Sequence, residues 1–162
     1  MNFKSIWQAS LLKYAQDASV FLLRLWLAQE FLLAALQKLK AGAHPPPWFA
    51  TLDFPLPLSW LGPQLNWLAA SYGELIFGLA LVVGIFTRLA ALGLLLITYV
   101  AVYTVHFDLG WAGWQLIETE AGNGFKVPLM MGLMLFMLAT HGAGKWSLDV
   151  FIKHGRRGAF RR

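Results

Sequence analysis

Arg24, Glu30 and Lys38 stand in one stretch rich in Leu, Ala and Phe, and Glu74 stands in the next. A charge near the centre of a bilayer costs about 3 kcal/mol or more, so each calls for a partner or a task. At a helical rise of about 1.5 Å per residue, Glu30 and Glu74 reach similar depth near that centre. Two carboxyls that face each other there share a proton, and the chemistry is a proton relay with Glu74 as carrier. The alternative is Glu74 as a hydrogen-bonded packing residue. Arg24 and Lys38 project from nearly the same helix face, with Ala28 and Ala35 between them. Small residues let helices approach closely, so this face turns inward. Lys38 then sits at the outer mouth with His106 and Lys126, where cations attract an anionic headgroup or substrate. Snorkelling to lipid phosphate is the competing reading.

A second constellation runs through Lys126, Met130, Met134, Met137 and His141, all on one helical face. Thioethers with an imidazole suit Cu(I), although methionine at this spacing also fills irregular cores. Thr98, Tyr99 and Tyr103 form a polar strip whose hydroxyls need partners. Other chemistries are missing. There is no Gly-rich phosphate loop and no His-Glu-x-x-His helix. His106 and His141 fall near opposite membrane faces, which argues against one shared haem. The chain has no cysteine, which excludes a thiolate metal site or dithiol chemistry.

The elements that position these residues are four apolar runs: about Ser19–Lys40, Trp67–Phe86, Leu89–Phe107 and Val127–Trp146. Each approaches the roughly 20 residues a helix needs to cross a bilayer. Of the 162 residues, 58% are hydrophobic and 13% charged, against about 25% charged in soluble domains. Residues 1–17 place Phe3, Ile6, Trp7, Leu11 and Tyr14 on one face, the pattern of a helix lying in the membrane interface. The fold expected is all-α: an up-and-down four-helix transmembrane bundle over residues 18–152, an N-terminal interfacial amphipathic helix over 1–17, and a basic tail over 153–162. Lys4, Lys13, Arg88, Lys145, Lys153, Arg156, Arg157, Arg161 and Arg162 collect on one side, which puts both termini in the cytoplasm. The high pI of about 9.8 therefore reports orientation, with anionic lipid as the partner of the tail and no nucleic acid. The opposite loops are apolar and aromatic. Residues 41–66 hold six of the seven prolines, cannot be helical throughout, and are expected to fold back over the bundle mouth with the second loop as a lid.

Three segments together resemble the DoxX family of small four-helix membrane proteins: LLRLWLAQEFLLAALQKL, YGELIFGLALVVGIFTRLAAL and the closing HGAGKWSLDVFI. The matching positions are Arg24 and Lys38, then Glu74, Gly78, Gly84, Thr87 and Arg88, and finally Gly142, Gly144, Lys145, Trp146, Ser147 and Asp149. The likeness covers about Leu22 to Phe151. The sequence departs from the family at Gln29 and Glu30, where small residues are usual, and in its long outward loops. The resemblance implies a multi-pass protein of the bacterial inner membrane that accompanies redox systems, some of whose members are subunits for thiosulfate:quinone oxidoreduction. It settles no reaction, so whether the chain is an enzyme subunit stays open.

The leading reading is a redox accessory or subunit that binds quinone or lipid in a pocket of Arg24, Lys38, Glu74, Tyr103 and His106. Quinone is its substrate, no cofactor is intrinsic, and a redox or operon-encoded partner protein supplies the electron carrier. Two alternatives stand beside it: copper homeostasis or small-molecule transport through the Met130–His141 face, and a membrane scaffold without chemistry. A homo-oligomer is left open.

Overall fold

The computed structural model describes residues 3–152, with side chains from residue 11 onward. The basic tail read over 153–162 and the amphipathic face of residues 1–10 lie outside the described residues and side chains. Four long helices form the fold: α1 (Phe3–Ala41), α3 (Gly62–Val83), α4 (Thr87–Val105) and α5 (Lys126–His141), with the single turn α2 (Pro47–Ala50) between the first two. Neighbours in sequence are neighbours in space, and α5 closes the ring against α1. Three helices are long and apolar enough to cross a membrane, over Leu11–Ala41, Gly62–Val83 and Thr87–Val105. The fourth, α5, is apolar but only 16 residues long, about 24 Å at the usual rise.

One helix, α1, covers all 39 residues from Phe3 to Ala41. The boundary at residue 17 between an interfacial helix and a first span therefore does not appear as a break. No proline or glycine stands between Phe3 and Ala41 to interrupt the i→i−4 bonds. The amphipathic segment is continuous with the first span.

Leu27, Ala28, Phe31, Leu81, Ala90, Ala91, Leu94, Leu135 and Leu138 make the core. Large apolar side chains such as Trp26, Leu33, Ile76, Leu79, Leu92, Leu96 and Phe136 point outward. In a soluble protein that surface would be a liability; around a bundle of closed helical backbone it is the lipid-facing coat.

The proline-rich connection folds back onto the bundle. Phe49 is buried, with its ring centroid 5.0 Å from Trp67 and 5.3 Å from Phe54. Trp67 Nε1 donates to the Gly42 carbonyl at 3.0 Å, so α3 begins more than a turn beyond the end of α1. The second connection holds a 3₁₀ segment, Gly110–Gln115, and a two-stranded ribbon pairing β1 (Glu118–Thr119) with β2 (Gly122–Asn123). Phe125 anchors it against Phe107 and Trp111.

Candidate functional site

The charged residues buried inside the bundle, Arg24 and Glu74, mark two stations, one towards each end. At the first, Arg24 is 1% exposed. Its Nη1 donates to the Ala143 carbonyl at 2.8 Å, and Nη2 donates to the carbonyls of Trp146 at 3.1 Å and Val82 at 3.3 Å. The guanidinium also lies over the Phe21 ring at 5.5 Å. The fork thus ties α1 to the last turn of α3 and to the chain after α5.

Gly84 ends α3 at φ 72°, a conformation that disfavours any residue with a Cβ. A Cβ there would lie 2.6 Å from Arg24 Nη1 and 2.7 Å from Ser147 Cβ. Asp149 caps the next helix: its carboxylate accepts from the backbone N–H groups of Phe86 at 2.8 Å and Thr87 at 3.0 Å. These are orphan donors at the start of α4, where negative charge is favoured. Lys145 pairs with Asp17 at 3.0 Å. The residues that carried the family resemblance at this end are therefore a latch, and Arg24 commits both Nη groups to backbone carbonyls, away from any pocket with Lys38, while its buried Nε has no partner among the described residues.

The second station is at the opposite end. Lys38 Nζ donates to both carboxylate oxygens of Glu74, at 2.9 and 2.7 Å. The glutamate side chain is 7% exposed and the lysine 23%. The carboxyl pair expected from depth does not form, since Glu74 is engaged by Lys38. Glu30 is partly exposed and makes no hydrogen bond among the described residues. Depth counting missed this because α3 overshoots α1, so a lysine near the end of α1 lies within reach of the middle of α3.

The ion pair lines a cavity of about 480 Å³ between α3 and α4, roofed by Trp48, Phe49, Phe54 and Leu58. His106 lines it too, and its Nδ1 is buried without a hydrogen bond among the described residues. So does Asn66, 5% exposed, whose Nδ2 donates to the Leu58 carbonyl at 2.9 Å while its Oδ1 has no partner among the described residues. Asn66 closes the proline-rich stretch 41–66, which reads as loop in the sequence. The signal was there in Asn66, Ala69, Ala70, Gly73, Glu74 and Phe77, a polar and small-residue stripe at helical spacing.

Tyr103 is elsewhere. It is half-exposed and, with Tyr99, lines a wider groove of about 1110 Å³ between α4 and α5, alongside Leu129, Leu133 and Phe136. Lys126 is exposed and does not line the cavity. The methionine stripe is divided: Met134 and Met137 pack against the core, whereas Met130 faces out. The Nδ1 of His141, at the exposed end of α5, lies 3.3 Å from the Met137 carbonyl oxygen and 3.2 Å from Thr140 Oγ1. No cluster of three or more His, Cys, Asp or Glu residues occurs among the described residues.

Helices coated with apolar side chains, a latched end and a polar station opening on an apolar cavity define an all-α integral membrane protein. The sequence profile of the DoxX family matches residues 19–107. A protein of Haemophilus influenzae strain Rd, described only as uncharacterized, is 39% identical over 137 residues, which is 83% of each chain. The chain belongs to the DoxX family. No solved structure matches it. The profile match stops at Phe107, short of α5 and the closing segment that Arg24 and Asp149 join to it.

Proposed function

We propose that this protein is a quinone-binding accessory subunit of a membrane redox system, with the cavity between α3 and α4 as its binding site. One observation carries the reading: a charge-neutral pair, Lys38 with Glu74, lines a largely apolar cavity beside Asn66 and His106, whose Oδ1 and Nδ1 are buried without a hydrogen bond among the described residues. Apolar pockets with a few convergent polar groups are where small amphiphiles bind. A neutral ring with oxygen substituents and an apolar tail suits such walls better than a charged phosphate headgroup, because the cavity offers no uncompensated cation. The chain has no evident ligand set for an electron carrier, so a partner protein delivers or takes the electrons.

The bacterial inner membrane is the location this reading requires, with both termini cytoplasmic and the cavity towards the outer leaflet. The distribution of Lys4, Lys13, Arg88 and Lys145 supports that orientation. The test is to extract the protein from native membranes in polymer-bounded discs and measure bound quinone by mass spectrometry. About one quinone per chain, lost in a Lys38→Met/Glu74→Met variant that still folds, supports the reading. Quinone at the level carried by an unrelated four-helix membrane protein refutes it.

A further inference from the structure

We propose that the groove between α4 and α5 holds one phospholipid from the leaflet on the loop side, and that Asp53 selects a primary-amine headgroup, as in phosphatidylethanolamine. The site is separate from the cavity between α3 and α4 and does not depend on what binds there.

Size and depth decide what kind of occupant fits. The groove has a volume of about 1110 Å³, above the roughly 300–1,000 Å³ of most small-molecule pockets. Its walls run on α4 from Thr104 down to Leu95 and on α5 from Pro128 down to Phe136. At the helical rise these stretches are about 14 and 12 Å long, close to half of a hydrocarbon core about 30 Å thick. Beyond that level Ala90, Ala91 and Leu138 belong to the packed core. A transmembrane helix of another protein needs a face that continues through both leaflets. An acyl chain needs one leaflet, and the groove is that deep.

The lining changes character along its length. Leu95, Leu133 and Phe136 make the deep end, and Gly132 leaves room between them. A Cβ on Gly132 would meet Leu95 Cδ1 at 3.6 Å, an ordinary contact. Thr51, Asp53, Tyr103 and Trp111 stand at the loop end, where the Trp111 ring packs edge-on against Phe107 and Phe125. Tyrosine and tryptophan at this level mark the depth of the headgroups. The phenols of Tyr99 and Tyr103 and the Trp111 indole make no hydrogen bond among the described residues. Donors of this kind suit the ester and phosphate oxygens of a lipid.

Charge then chooses the headgroup. Asp53 is the one charged residue among the described residues lining the groove. It is exposed and has no ion pair or hydrogen bond among the described residues. The cavity beside α3 differs, since its carboxylate is compensated by Lys38. An uncompensated carboxylate repels an anionic headgroup and attracts a cationic one. A primary ammonium also brings N–H groups for a charge-assisted hydrogen bond, which a choline with its methyl groups cannot make. The order expected is ethanolamine, then choline, then glycerol.

The experiment titrates the full chain, delipidated in mild detergent, with phosphatidylethanolamine, phosphatidylcholine and phosphatidylglycerol of identical acyl chains. Native mass spectrometry counts the lipids retained per chain. Wild type is expected to retain one phosphatidylethanolamine, about threefold more tightly than phosphatidylcholine and about fivefold more tightly than phosphatidylglycerol, the worth of an exposed ion pair. Asp53→Asn changes an exposed side chain without a partner, so it keeps the fold and brings the three headgroups together. Gly132→Leu fills the deep end and weakens all three lipids about fivefold or more, whereas Gly132→Ala keeps them. Equal retention of the three headgroups by wild type, or a preference unchanged in Asp53→Asn, overturns the selection by Asp53. Retention unchanged in a folded Gly132→Leu protein puts the lipid outside the groove and overturns the site. A lipid-free dimer also overturns it and assigns the groove to a second copy.

Discussion

Removing Lys38 alone is the sharpest test of the polar station. The Lys38→Met variant leaves the Glu74 carboxylate, 7% exposed, facing apolar walls with no counter-charge. Breaking a buried pair in this way typically costs about 3–5 kcal/mol. The lysine end is 23% exposed, so water already screens part of the attraction, and about 2–3 kcal/mol is the figure for this geometry. Glu74→Met leaves an ammonium that can still reach towards the mouth, and costs less, about 1–2 kcal/mol. The double variant Lys38→Met/Glu74→Met removes both charges and fills the space with apolar atoms, so it returns to within about 1 kcal/mol of wild type. The double-mutant cycle therefore yields a coupling of about 2 kcal/mol or more. Equilibrium unfolding in mixed micelles, followed by tryptophan fluorescence, measures all four proteins. Additive losses, with a coupling under about 0.5 kcal/mol, would mean that the two side chains do not depend on each other. The station would then have to be rebuilt from other partners.

Three further outcomes follow from the geometry. Gly84→Ala should destabilise by about 2–4 kcal/mol, since its Cβ meets Arg24 and Ser147 at under 3 Å and the backbone is left-handed there; a loss under about 0.5 kcal/mol in the same unfolding assay contradicts the latch. Asp149→Ala should cost about 1–2 kcal/mol, whereas Asp149→Asn, which keeps an acceptor at the start of α4, should cost less; equal losses would assign the effect to something other than capping. Gly93→Ala should drive the Phe77 ring into the cavity between α3 and α4 and weaken a decyl-tailed benzoquinone about tenfold, while a tail-less benzoquinone keeps its affinity; equal weakening of both would place the tail elsewhere.

Much of the fold was legible because spanning a bilayer is a constraint on composition. Helices α1, α3 and α4 had to be long, apolar all round and uninterrupted, and each sits within a few residues of its sequence reading, apart from the N-terminal extension of α1. The roof was legible too, since prolines and aromatics in residues 41–66 could neither continue a helix nor extend into water. The site was legible as a set of residue types and misread in its pairings. Charge and depth singled out Arg24, Lys38, Glu74 and His106, but depth along a helix fixes neither stagger nor rotation. The overshoot of α3 joins Glu74 to Lys38 instead of Glu30. Rotation about the axis of α4 sends Tyr103 to the groove beside α5 while His106 lines the cavity beside α3. Asn66 was overlooked because the residues just after Pro63 read as part of the proline-rich loop until α3 is seen to start at Gly62.

The Arg24 fork has a consequence for how the chain is made. Its shortest bond joins residues separated by 119 positions, so during synthesis the guanidinium enters the membrane long before the carbonyls of Ala143 and Trp146 exist. Until then the Val82 carbonyl is the one member of its acceptor set that can be present, and the cation must remain hydrated at the membrane face. The full set of bonds to Arg24 can therefore form only once residues 143–146 have been made. Arrival of that segment, and not completion of the first helix, is what allows this end of the bundle to be fastened.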